Sequence, residues 1–199
     1  MPKKDIIAVD IDEVLYPFLK EFVADHNLKF KTNLKVENFS TYEFEDSLGI
    51  NRRKSIQRIY DFSSKTDQIN PEPIKDSKDA ILKIAKFYDL VIITSRHPQY
   101  QDITVKWLNR HFKNVFKSVH LIGYHKIIQN PVYKSDICLA IGAKHIIDDS
   151  LDNILDCAKK GINGILFGDY PWNQGNLNKF KNITRLKKWT DVLNYFGIN

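Results

Sequence analysis

The chain has 199 residues, 43% of them hydrophobic and 12% aromatic, and a formal net charge of +6. That apolar share excludes a disordered chain, and the length suits one medium domain or one core with a modest insertion. Cys138 and Cys157 make neither a CxxC pair nor a disulfide framework, and no apolar run approaches the ~18 residues of a membrane span. A reducing, cytoplasmic setting with no membrane is therefore expected, and the polar stretch Met1 to Asp5 is read as carrying no signal peptide. The basic excess attracts phosphorylated substrates of any size; a lysine-rich surface accounts for it more simply than a nucleic-acid binder does.

The first predicted element is Ile6-Ile7-Ala8-Val9, apolar on both faces, a buried strand that stops at Asp10. About 60 residues follow before the next helix–strand pair, too many for a structureless loop. They contain Glu13 to Asn27, the aromatics Phe39, Tyr42 and Phe44, a helix-like Asn51 to Phe62, and a closing Pro71-Glu72-Pro73. This stretch, residues 17–77, is read as a small, mostly helical cap. A helix over 74–87 then leads to a second buried strand at 89–95. A helix over 100–112, a strand at 118–122 and a helix over 135–141 ending at Gly142 come next. After a strand at 144–147, Ser150 caps a helix that Gly161 stops; a strand at 163–167 and a short helix at 191–196 complete the chain. Alternating buried strands and amphipathic helices predict an α/β fold: a Rossmann-like parallel sheet with helices on both faces, built from residues 1–16 and 78–199.

Ligands of open parallel sheets bind beyond the carboxyl ends of the strands. There the first strand delivers Asp10 and Asp12, the second Thr94, Ser95 and Arg96, and the fourth Asp148, Asp149 and Ser150; Lys134 opens the preceding helix. Asp10 and Asp12, two apart in extended backbone, share a face. Three carboxylates drawn together repel by roughly 4 kcal/mol per pair at ~4 Å and an effective dielectric near 20, so a positive group must compensate. An oxygen-only set without His or Cys favours Mg²⁺ over Zn²⁺.

In order, Asp10-x-Asp12 after Ile-Ile-Ala-Val, Thr94 after Leu-Val-Ile-Ile, Lys134, and Asp148-Asp149 after His-Ile-Ile resemble the four motifs of the haloacid dehalogenase-like phosphohydrolases. The resemblance implies Asp10 as nucleophile and Asp12 as general acid/base. It implies Mg²⁺ held by Asp10, the Asp12 carbonyl and Asp148, with Asp149 adjusting that shell. Thr94, Ser95 and Lys134 would hold the phosphoryl oxygens.

A narrower resemblance is to the 5′(3′)-deoxyribonucleotidases of that superfamily. It is carried by Asp10-Ile-Asp12-Glu13-Val14-Leu15, by Phe18 eight residues past the nucleophile, by Ile92-Ile93-Thr94-Ser95, by Trp107, by Pro171-Trp172-Asn173 and by Trp189. Glu13 stands where that group has glycine, and Arg96 where its animal members have proline. The resemblance implies a phosphoric monoester hydrolase acting on a small phosphate monoester, a deoxynucleotide first. Phe18, Tyr42 and Phe44 are the candidates for stacking its base, and packing inside the cap is the alternative for Tyr42 and Phe44. Another small phosphate ester, a polynucleotide end, or non-catalytic nucleotide binding are the rival readings. A homodimer stays open.

Overall fold

The computed structural model describes residues 3–124 and 131–198. Six strands, β1 (Ile6–Val9), β2 (Asp89–Thr94), β3 (Phe116–Leu121), β4 (Ala143–Asp148), β5 (Asn163–Phe167) and β6 (Ile183–Leu186), form one sheet in the order β3-β2-β1-β4-β5-β6. Every pairing is parallel. The helices are α1 (Phe18–Phe30), α2 (Glu45–Leu48), α3 (Arg52–Ser63), α4 (Ser77–Ile84), α5 (Gln101–His111), α6 (Lys134–Ile141), α7 (Leu151–Lys159) and α8 (Trp189–Tyr195).

Strand side chains alternate between the two faces, so a sheet covered on both sides needs apolar residues at successive positions. Ile7, Val9, Leu90, Ile92, Ile147 and Ile165 pack on one side against Ile81 and Ile84 of α4, Trp107 of α5 and Val192 of α8. Ala8, Val91, Ile93, Ile146 and Leu166 pack on the other against Cys138 of α6 and Ile154 and Cys157 of α7. Both buried indoles have acceptors for their N–H: Trp107 donates to the Pro71 carbonyl at 2.8 Å and Trp189 to that of Val14 at 3.0 Å. These bonds hold Pro71, near the end of the 17–77 stretch, and Val14, just before its start, against α5 and α8.

The predicted α/β architecture is the observed one, with local differences. The edge strand β6 has no counterpart in the sequence reading, because Ile183-Thr184-Arg185-Leu186 is short and mixed in polarity. The helix expected from residue 74 starts at Ser77, since Asp76 in the left-handed region (φ 64°) breaks the helical path. The third strand runs two residues earlier than expected at its start.

Residues 17–77 hold α1, α2, α3 and two single 3-10 turns. Their interior is a separate cluster of Leu19, Phe22, Val23, Phe39 and Phe62, with Phe18 and Phe44 half-buried at its edge. The link from β1 is tight: Leu15 and Tyr16 both donate to the Ile11 carbonyl at 2.8 Å. Glu13 sits in this loop at φ 58°, a conformation for which glycine is the default. Among the described residues, no helix is long and apolar enough to cross a membrane.

Candidate active site

The floor of the site is the carboxyl edge of β1 and β4. Asp10 continues β1, its N–H bonded to the Ile147 carbonyl at 2.9 Å, and Asp148 closes β4. Asp149 follows, and each of the three buried carboxylates places an oxygen within 4.8 Å of the other two. Lys134, the first residue of α6 and 2% exposed, reaches between them. Its Nζ donates to Asp148 Oδ2 at 2.7 Å and stands 2.9 Å from Asp10 Oδ1. The second contact is an ion pair without hydrogen-bond geometry, so Asp10 Oδ1 is buried and has no hydrogen-bond donor.

The neighbours complete this floor. The Ser150 amide donates to Asp148 Oδ1 at 2.8 Å, and the Asn153 side-chain amide to Asp148 Oδ2 at 3.2 Å. Trp172 Nε1 donates to Asp149 Oδ2 at 2.7 Å. Burial pushes the Asp10 carboxyl up to about 7; Lys134 opposes this, and the charges of Asp148 and Asp12 add to it. Burial and Asp148 likewise drive Asp149 well above the carboxylate range. Burial disfavours the Lys134 ammonium, but Asp10 and Asp148 outweigh it and hold its pKa above the ordinary value. Lys134 thus pairs with two of the three buried carboxylates. The surplus negative charge, the oxygen-only donors and the unsatisfied Asp10 Oδ1 fit a hard divalent cation.

The expected site residues fall into three groups. Asp10, Asp148, Asp149 and Lys134 come together. The Asp12 carboxylate does not join them; it lies in the grip of Arg96, whose Nη2 donates to its Oδ1 at 2.6 Å. Thr94, 1% exposed, ends β2, and its Oγ1 accepts from the Arg96 amide at 3.3 Å. Ser95 opens on a cleft together with Asp12, Asp149 and three aromatics of the 17–77 stretch, Phe18, Tyr42 and Phe44.

Those aromatics differ in their surroundings. The Phe18 ring stacks on Phe22 at 6.1 Å and meets Phe62 edge-on at 5.3 Å. Phe44 also packs into the aromatic cluster, 4.9 Å from Phe39. Tyr42 stands outside the cluster, its ring 5.8 Å from Tyr124, whose hydroxyl donates to Glu43 Oε1 at 3.2 Å. The Glu13 side chain turns to the start of α1, where Oε1 accepts from the Leu19 amide at 2.6 Å. Pro17 offers α1 no side-chain cap, so Glu13 supplies one from the loop. Burial pushes its carboxyl up to about 7 against that amide bond.

Sequence reasoning gave no role to Trp172, Tyr124 or Arg96, all of which face the cleft. Trp172 lies in the Pro171-Trp172-Asn173 run, which was the available signal. Arg52 and His97 also face the cleft.

The doubly wound sheet has the fold of a class of known structures, the haloacid dehalogenase-like hydrolases. A haloacid dehalogenase-like family hydrolase from Streptococcus pneumoniae superposes with a TM-score of 0.68 at 16% identity, over 98% of this chain and 100% of its own. A HAD-hydrolase from Bacillus subtilis, solved bound to magnesium, gives 0.61 at 12% identity, over 98% and 100%. Within that class, residues 4–196 match the family described as 5′ nucleotidase, deoxy (Pyrimidine), cytosolic type C protein, and the chain belongs to this family. It is a phosphoric monoester hydrolase. The 5′(3′)-deoxyribonucleotidases of Bacillus subtilis (strain 168) and of Bacillus phage SPbeta are each 27% identical to it over 192 residues, 95% of this chain and 96% of theirs.

Proposed function

We propose that this protein is a Mg²⁺-dependent phosphatase that releases phosphate from deoxyribonucleoside monophosphates through an aspartyl-phosphate on Asp10. The observation that carries the reading is the buried group of Asp10, Asp148, Asp149 and Lys134 beneath a cleft walled by aromatic rings. Asp10, Asp148 and Asp149, with the Asp12 carbonyl, would hold the cation, which when bound neutralises charge on the phosphoryl oxygens.

The remaining work falls to the chain's own groups. An Asp10 oxygen attacks phosphorus, the P–O bond to the sugar breaks, and the leaving alkoxide takes a proton from Asp12. Asp12 then removes a proton from the water that opens the aspartyl-phosphate. Lys134, Thr94 and Ser95 bind the phosphoryl oxygens. Residues 17–77 act as a cap on the core of residues 1–16 and 78–199, and Phe18, Tyr42 and Phe44 offer faces on which a base stacks. The names of the Bacillus relatives support a deoxynucleotide substrate. The buried free thiols of Cys138 and Cys157 support a cytoplasmic setting.

The test is phosphate release from a panel of deoxy- and ribonucleoside monophosphates, sugar phosphates and a 5′-phosphorylated oligonucleotide, with Mg²⁺ and with chelator. Deoxynucleotides should turn over fastest, and chelator should abolish release until Mg²⁺ is restored. Sugar phosphates or the oligonucleotide turning over faster would replace the substrate class. Full release in chelator would refute the metal's role.

A further inference from the structure

Arg96 grips Asp12 with two nitrogens. Its Nε lies 3.1 Å from Asp12 Oδ1 and 3.0 Å from Oδ2, and Nη2 lies 2.6 Å from Oδ1. The guanidinium is braced from behind. Nη1 donates to Thr104 Oγ1 at 3.3 Å, and the guanidinium carbon lies 4.7 Å from the centre of the Tyr16 ring. Tyr16 is itself fixed, its hydroxyl donating to Gln68 Oε1 at 2.5 Å and its ring meeting Trp107 edge-on at 5.1 Å.

In this arrangement both Asp12 oxygens accept charge-assisted hydrogen bonds from one cation. So held, both Asp12 oxygens are engaged with Arg96, and release of the grip would free them for the ester oxygen. The cleft supplies a reason for it to open. Asp12, Glu13, Glu43, Glu45 and Asp149 face it against Arg52, Arg96 and His97, whereas a phosphate monoester enters as a dianion in need of donors. Lys134 is enclosed by Asp10 and Asp148. Arg96 opens on the same cleft, and the fork that fits a carboxylate also fits a phosphoryl group.

We propose that Arg96 is an exchangeable latch: it holds Asp12 in the ligand-free protein and passes to a phosphoryl oxygen when the phosphate monoester enters, leaving Asp12 free to face the ester oxygen. The inference rests on the function proposed above, because it takes Asp12 to act at that oxygen. Arg96 then selects for the dianionic phosphoryl group and keeps Asp12 engaged until one arrives.

Inorganic phosphate, with Mg²⁺ present, is the probe. In Arg96→Gln, KM for a deoxynucleoside monophosphate and the inhibition constant of inorganic phosphate should rise together, by roughly tenfold to a hundredfold, as the loss of a charge-assisted fork implies. The loss should fall on KM more than on kcat. A fall in kcat at unchanged KM and unchanged phosphate inhibition would overturn the latch and leave Arg96 as a positioning residue for Asp12. A measurement on the unmodified protein guards against a variant that does not fold. The Arg96 Nε–H resonance, assigned by its loss in Arg96→Lys, should shift on saturation with inorganic phosphate, and an unmoved resonance would overturn the exchange. A resonance that moves in a protein that hydrolyses no ester would retire the proposed function and retain Arg96 as a phosphate ligand.

Discussion

On the sheet side of the cleft, Asp10, Lys134, Asp148 and Asp149 are almost inaccessible, and each touches a partner brought from another element. On the other side, residues 17–77 present Phe22, Phe39 and Phe62 packed together, with Phe18 and Phe44 at the edge. Buried charges cost several kcal/mol each unless paired, so the acidic floor tolerates almost no change. Aromatic packing is less directional, and volume-conserving changes within it cost little. The contrast separates chemistry from selection. On the proposed function, the floor would fix what is done to a phosphoryl group, and the aromatic wall could vary what carries that group.

Four experiments would sharpen or break this separation. Asp10→Asn should lower phosphate release by roughly a thousandfold or more on every substrate, because it removes the attacking oxygen. Folding should persist, since Lys134 keeps Asp148 as its partner; residual turnover above about a thousandth of wild type would sink the nucleophile assignment. Phe22→Ala removes a ring that is 1% exposed at the centre of the aromatic cluster, a change worth about 3–5 kcal/mol. Hydrogen exchange should accelerate in α1 and α3 but not in β1 and β4, and nucleotide turnover should fall while p-nitrophenyl phosphate hydrolysis persists. Uniform acceleration would show that the two sides melt as one unit.

Phe18→Ala should have a smaller effect. Lost stacking of 1–3 kcal/mol implies a KM for nucleoside monophosphates about tenfold higher, with little change for p-nitrophenyl phosphate. Equal losses on both substrates would assign Phe18 to packing. The smallest expected effect concerns pH. Burial and the Arg58 cation hold the His26 imidazole below its ordinary value, so unfolded chains take up this proton before folded ones do. The stabilisation present above the unfolded pKa of about 6.5 is then lost as pH falls through it. Protection of α1 amides, corrected for intrinsic exchange, should fall less or rise more between about pH 7 and about pH 5 in His26→Asn than in wild type, because the raised Asp10 and Glu13 carboxyls act in the opposite direction in both.

Much of the architecture was legible because its signals are local. Ile6–Val9 and Asn163–Phe167 are strands over the predicted residues, and Lys134 opens its helix as expected. Asp10, Asp148 and Lys134 could be placed together because parallel strands all present their carboxyl ends at one edge. Contacts between distant side chains left no such trace. Arg96 and Asp12 are 84 positions apart, and the arginine read only as a departure from a family pattern. Trp172 was one member of a motif until its indole was seen on Asp149. Composition also could not separate Phe44, which packs into the aromatic cluster, from Tyr42, which stands beside Tyr124.

The strand order has a consequence for the making of the protein. β1 lies between β2 and β4, so one edge of β1 stays open until Ile147 arrives to pair with Val9. Asp10 waits as well, for the Lys134 ammonium that shares its burial. A chain that stops before residue 134 therefore carries β1 with one edge unpaired, ending in an acid without its ammonium. Such a fragment cannot close its sheet, and its exposed Ile6–Val9 segment is the kind of surface that chaperones and proteases engage.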